Sequence, residues 1–113
     1  MIEIYHNPRC QKSRTALAYL ESIGEQVEVI EYLKTPPTAK ELTNVLRLLK
    51  LKPIDIVRKK ETLYLDQYKD KSFSDTQWIK ILVENPILIE RPILIAGDKA
   101  VIARDEESLH QFI

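Results

Sequence analysis

Cysteine occurs once in the 113 residues, as Cys10. A lone cysteine cannot close an intrachain disulfide, which excludes the disulfide framework of a small secreted domain. Long hydrophobic runs are also missing. The apolar stretches are short and broken by Pro86, Glu90 and Pro92, far from the ~20 residues that a membrane-spanning helix needs. Neither sign of charge is in excess, since 17 Lys and Arg balance 17 Asp and Glu. That neutrality gives no electrostatic footprint for nucleic acid or for an anionic membrane surface. The opening "MIEIYHNP" lacks the basic stretch and apolar run of a signal peptide, so a reducing cytoplasmic setting is expected. No internal repeat or low-complexity segment is visible.

What is present fits a single globular domain over residues 1–113, 44% hydrophobic and 30% charged. "IEIY" (2–5) alternates as a strand does, and Pro8 blocks its continuation. Ala16, Leu17, Leu20 and Ile23 then recur at helical spacing, with Gly24 as a C-terminal cap. "VEVIEYL" (27–33) alternates again. Strand, helix and strand with short links predict a right-handed parallel crossover.

After the break at "TPP" (35–37) the pattern turns helical. Thr38 and Glu41 have capping-box spacing ahead of Leu42, Val45, Leu46 and Leu49. Pro53 is expected to open a short helix reaching toward Lys59. Ser74 and Gln77 repeat the capping-box spacing, with Trp78, Ile81 and Leu82 as the apolar face. "ILIAGDKAVIAR" (93–104) reads as a hairpin turning at Gly97-Asp98. Asp105 can cap a last helix bearing Leu109, Phe112 and Ile113. The expected fold class is therefore α/β. A mixed four-stranded sheet of thioredoxin type forms the core (1–34 and 86–113), and a helical insertion occupies 35–85.

The chemistry is concentrated in "HNPRCQKSR" (6–14), where Cys10 lies among His6, Arg9, Lys12 and Arg14. A helix beginning at or just after Cys10 would direct unpaired backbone N–H groups and the helix dipole at the sulfur. Cationic neighbours favour the thiolate as well. The same geometry binds oxyanions. A nucleophile and an anion site in one place suggest attack by sulfur on a bound oxyanion or on a sulfur–sulfur bond. A lone cysteine is commonly an inert small hydrophobe. This one follows a proline-containing loop and lies off the apolar stripe of its helix.

Spacing excludes several other thiol chemistries. Phosphatase-type loops separate their cysteine and arginine by five residues, and Ala16 stands in the arginine's position. Dithiol redox motifs need C-x-x-C, and "CQKS" has Ser13 as its last residue. For a metal site His6 and Cys10 would have too few further ligands, His110 being the one other histidine.

"IYHNPRCQKSR" resembles the active-site segment of the glutaredoxin-coupled arsenate reductases, H-N-P-x-C-x-x-S-R. The likeness continues through "EYLKTPP", the arginine of "IVRKKE", "NPILIERPILI" and an arginine after the final strand, and so covers nearly the whole chain. The resemblance implies a thioredoxin-like core with a helical insertion, and Cys10 as the nucleophile. It makes His6, Ser13 and Arg14 supports of the thiolate, and Arg58, Arg91 and Arg104 the oxyanion-binding residues. Pro92 matches a proline that is typically cis in thioredoxin-like folds.

The resemblance further implies an arsenate reductase acting in arsenic detoxification. Arsenate is the substrate, glutathione the co-substrate and glutaredoxin the partner, with no tightly bound cofactor and no metal. A monomer without nucleic-acid or membrane partners is expected. Two other classes share these features. An Spx-type regulator binding RNA polymerase has the same fold, but its redox-sensing members use a C-x-x-C pair. A glutathione-dependent thiol oxidoreductase acting on mixed disulfides keeps Cys10 but gives no reason for three converging arginines.

Overall fold

Alternation at Ile2 and Ile4 does build the first strand, β1 (Ile2–Tyr5), in the computed structural model, which describes residues 1–112. Ile113, assigned above to the apolar face of the last helix, lies outside them. The chain divides into two compact units. One comprises Met1–Thr35 and the chain from Arg91 onward, the other Pro36–Glu90.

In the first unit β1 is followed by helix α1 (Gln11–Ser22) and strand β2 (Val27–Ile30). Strands β3 (Ile93–Ala96) and β4 (Lys99–Ile102) form the hairpin around Gly97, whose φ of +61° is the left-handed value such a turn needs. The sheet order is β2-β1-β3-β4. β1 runs parallel to β2, with Ile2 opposite Val27, and antiparallel to β3, with Ile4 opposite Leu94. This is the expected mixed sheet.

Ile2, Ile4, Ala16, Leu20, Leu94, Ala103 and Leu109 form the core on one face of the sheet. Fully burying Ile4, Leu20 or Leu94 contributes roughly 1.5–3 kcal/mol each. Ile93 and Ile95, pointing to the opposite face, are buried as well, so β3 is covered on both sides as a central strand should be.

α1 ends in a Schellman arrangement. Gly24 N–H donates to the Glu21 carbonyl, Glu25 N–H to that of Leu20, and Gly24 takes a φ of +79°. The second strand is shorter than the sequence pattern suggested. Its alternation runs on to Leu33, but the Lys34 and Thr35 N–H groups both donate to the Glu31 carbonyl and turn the chain. The last helix of this unit, Glu106–Phe112, starts where Asp105 Oδ1 accepts the Ser108 N–H at 2.8 Å.

The second unit begins with α2 (Ala39–Leu49). Its capping box is closed by Glu41 N–H to Thr38 Oγ1 at 3.1 Å and Thr38 N–H to Glu41 Oε1 at 2.9 Å. Leu42, Val45 and Leu46 are buried along it. The helix expected from Pro53 toward Lys59 is only a 3-10 turn, Pro53–Ile56. Val57 leaves the turn in extended conformation and bridges Ile89, a pairing that suits its β-branched side chain.

A helix that the periodicity did not indicate follows, α3 (Thr62–Gln67), with no buried residue and no side-chain cap. Its stability comes from aromatic packing instead. Tyr64 and Tyr68 lie 6.5 and 5.9 Å from the buried ring of Trp78, and Phe73 meets the same ring edge-on at 5.0 Å. Trp78 belongs to α4 (Asp75–Glu84), which has the expected Ser74–Gln77 box. Among the described residues no helix is long and apolar enough to cross a membrane.

Candidate active site around Cys10

The loop between β1 and α1 is organised by Asn7. Its side-chain Oδ1 accepts the Arg9 N–H at 3.0 Å, its carbonyl accepts the Cys10 N–H at 3.0 Å, and its own N–H donates to Ser13 Oγ at 3.0 Å. Asn before proline is a turn signal, because the Asn side chain can mimic a backbone turn. The residue lies within the quoted motif, yet no role was read for it from the sequence. Arg14 Nη1 donates to the Pro8 carbonyl at 2.9 Å and braces the outer side of the same loop.

Cys10 occupies the N-cap of α1 in extended conformation. No side-chain hydrogen bond of ordinary geometry caps the helix, so the orphan donors of the first turn are available to a negative sulfur. Partial burial pushes the Cys10 thiol up. The backbone N–H of Ser13, the Arg91 guanidinium by hydrogen bond and by charge, and the backbone N–H of Lys12 oppose it. Their combined pull wins, and the thiol is held below its ordinary value. The donors named are those that anion-binding helix termini use.

His6 is tied to Ser13 in the same loop. Its Nδ1 lies 2.7 Å from Ser13 Oγ, and His6, Asn7 and Ser13 are all buried. Burial, the largest influence, and the Arg14 charge lower the His6 pKa against the opposing pull of Glu31 and Glu21. The imidazole is therefore neutral at neutral pH. Ser13 Oγ accepts the Asn7 N–H and shares a hydrogen bond with His6 Nδ1, whose direction follows the imidazole tautomer. A fixed Ser13 keeps its backbone N–H beneath the thiol.

The structure thus brings together Cys10, Ser13, His6 and Arg91 in the first unit, with Arg14 holding the loop. Arg104 is exposed at the end of the same sheet, next to Asp105. Asp105 feels the charges of both Lys12 and Arg104. Arg58 belongs to the second unit. Its N–H donates to the Leu88 carbonyl at 2.7 Å, and its guanidinium pairs with Glu61. Glu61 is a further residue that the sequence reading did not single out. Among the described residues no three His, Cys, Asp or Glu side chains gather as a metal site requires.

The ArsC family model matches residues 5–112, from the end of β1 to the last helix. The chain belongs to the ArsC family. Uncharacterized protein YfgD of Escherichia coli K12 is 40% identical over 114 aligned positions, covering 99% of this chain and 96% of its own length. An arsenate reductase of Neisseria meningitidis is 39% identical, with 96% of this chain and 94% of that protein covered. The solved structure of an arsenate reductase from Vibrio cholerae superposes with a TM-score of 0.91 at 38% identity, over 99% of this chain and 97% of that one. The thioredoxin-like ArsC fold, with its mixed sheet, is thereby established for this chain.

For an ArsC-family thiol so placed, the rate of alkylation by iodoacetamide should rise with pH through a midpoint below the ~8.5 of free cysteine. The sign follows from the lowered pKa. Above it the thiolate predominates and reacts, and as pH falls through it the neutral thiol takes over and the rate drops. A midpoint at or above the free value would remove the electrostatic account of the loop.

Proposed function

We propose that this ArsC-family chain is an arsenate reductase whose nucleophile is the Cys10 thiolate and whose reductants are glutathione and glutaredoxin. The observation that carries this reading is a single partly buried thiol held below its ordinary pKa by helix N–H donors and by Arg91. The names of the Neisseria meningitidis and Vibrio cholerae relatives support arsenate as the substrate.

In the first step Cys10 Sγ bonds to arsenic(V), and one arsenate oxygen leaves as water once protonated. No electrons are transferred there. Arg58, Arg91 and Arg104 bind the oxyanion, since guanidinium forks suit its paired oxygens and its charge. His6, Ser13 and Arg14 keep the loop and its thiolate in place. Reduction of As(V) to As(III) takes two electrons, which two thiols supply on closing one disulfide. A chain with one cysteine cannot provide both sulfurs from within. Glutathione attacks arsenic in the adduct, and a second oxygen leaves as water. A glutaredoxin thiolate then attacks the glutathione sulfur and closes a glutaredoxin–glutathione disulfide, as As(V) takes the electron pair and becomes As(III). Water cleaves the Cys10 Sγ–As bond to release arsenite and the free thiol.

An NADPH-coupled assay with glutathione, glutathione reductase and glutaredoxin tests the scheme. NADPH oxidation should require arsenate and should stop when glutathione or glutaredoxin is omitted. Full-rate turnover with thioredoxin alone would overturn the choice of reductant. No arsenate-dependent oxidation in the complete system would overturn the substrate.

A further inference from the structure

The sheet lets go of the chain at His6, whose N–H donates to the Ile30 carbonyl at 2.8 Å. Between that anchor and the N-cap of α1 at Cys10 lie Asn7, Pro8 and Arg9. Pro8 has a fixed φ, no N–H to give, and biases the residue before it toward extended backbone. Pro8 and Arg9 are exposed, whereas Asn7 is buried. The direction in which α1 leaves the sheet is therefore set within one short turn, and Asn7 is its buried member.

The three hydrogen bonds of Asn7 do not depend equally on its being asparagine. Its N–H to Ser13 Oγ and its carbonyl to the Cys10 N–H are backbone bonds, which other residues could make. The third, from the Arg9 N–H to Oδ1 at 3.0 Å, needs a side-chain oxygen at the reach of an Asx turn. It spans the same turn that the Asn7 carbonyl and the Cys10 N–H close at 3.0 Å. A turn fastened twice keeps one geometry where a turn fastened once can take several.

That geometry matters at the sulfur. Partial burial works against a thiolate, and the Ser13 and Lys12 N–H groups are among the groups that oppose it. Hydrogen bonds weaken steeply as the donor angle closes. The pull of those two N–H groups thus depends on where the turn sets Cys10 relative to the first turn of α1.

We infer that Asn7 is a positioning residue for the Cys10 nucleophile, its side chain fastening the turn that seats the sulfur at the head of α1. This rests on the proposed function in one respect, that Cys10 is the nucleophile. Asn7 acts through Arg9 and Cys10 and needs no contact with arsenate.

The test follows alkylation of Cys10 by iodoacetamide against pH in the full chain, beside circular dichroism melts. Asn7→Ala removes Oδ1 and keeps the backbone groups. Its midpoint should rise by roughly half to one pH unit, one hydrogen bond's net worth expressed as a pKa shift. At a pH below the native midpoint its alkylation should slow about three- to tenfold. Asn7→Ser has a hydroxyl that can accept the Arg9 N–H more weakly, so its midpoint should lie between the two. In the complete NADPH-coupled assay, kcat/KM for arsenate should fall in the same order.

A purely structural role would lower the melting temperature of Asn7→Ala and leave the midpoint where it was. An unmoved midpoint in folded Asn7→Ala overturns the inference. Asn7→Ser behaving as Asn7→Ala does would detach the effect from the acceptor oxygen and overturn it likewise. If Asn7→Ala does not fold, Asn7→Ser decides, a raised midpoint supporting the inference and a native one overturning it. Alkylation involves no arsenate, so a native chain without arsenate turnover would sink the proposed substrate and leave this result standing.

Discussion

Cys10→Ser should abolish arsenate turnover altogether, with no adduct detectable by mass spectrometry after incubation with arsenate and glutathione. The substitution is nearly isosteric. The backbone bonds from Cys10 N–H to the Asn7 carbonyl and from Arg14 N–H to the Cys10 carbonyl do not involve the side chain. The loop and the α1 N-terminus should therefore persist, and the melting temperature should change little. What disappears is the nucleophile. The donors of Ser13, Lys12 and Arg91 can bring a thiol into its anionic range, but a serine hydroxyl starts too far from ionisation for the same pull to suffice. Residual turnover in Cys10→Ser would mean that arsenic is reduced without a bond to this residue, and would sink the mechanism.

Arg91→Lys is expected to have the second largest effect. Lysine keeps the positive charge but replaces a planar fork with a compact point charge. Charge-assisted hydrogen bonds are worth roughly 1.5–3 kcal/mol each, so kcat/KM for arsenate should fall by about tenfold or more. Alkylation of Cys10 by iodoacetamide, a neutral reagent, should slow much less. The charge that acts on the sulfur remains, and no oxyanion has to be held. The contrast between the two rates is the measurement. Equal losses in both would make Arg91 a support of the thiolate or the fold, and would take it out of oxyanion binding.

Arg91 could be noticed in the sequence because it interrupts an apolar run between Pro86 and Pro92. Nothing in a core strand calls for an arginine there. Arg58 had no such contrast with its surroundings and came forward only through the family likeness. Its pairing with Glu61 depends on a turn whose closing bonds are backbone groups of Leu88 and Glu61, which side-chain patterns do not encode. The two capping boxes, at Thr38 and Ser74, were legible because the reciprocal bonds span three residues and need particular side chains. The hairpin at Gly97-Asp98 was legible for a similar local reason.

Helix α3 was not legible. It carries no apolar stripe and no cap, and its order comes from the Trp78 ring, which lies beyond it in sequence. The early stop of β2 escaped for the opposite reason. Its alternating pattern continues to Leu33, but β1, its partner strand, ends at Tyr5, opposite Ile30. A strand with no neighbour to bond has no reason to go on. Asn7 shows a third kind of loss: the motif contained it, but its three hydrogen bonds reach both ends of the loop and need the folded geometry to be counted.

The first unit is assembled from two separated pieces of chain, and this has a consequence for synthesis on the ribosome. Cys10 is made before the segment Pro36–Glu90, whereas β3 and Arg91 emerge only after the whole of it. Until then β1 has β2 beside it but lacks β3, the strand on its other side. A two-stranded piece is marginal alone, and pairing across so long an interval is intrinsically slow. Until Arg91 emerges, the nascent chain thus carries its sulfur without the guanidinium that adds to the pull of the Ser13 and Lys12 N–H groups. A product cut short before Arg91 keeps the Ser13 and Lys12 N–H donors but lacks the guanidinium, so its thiol should be held down less strongly.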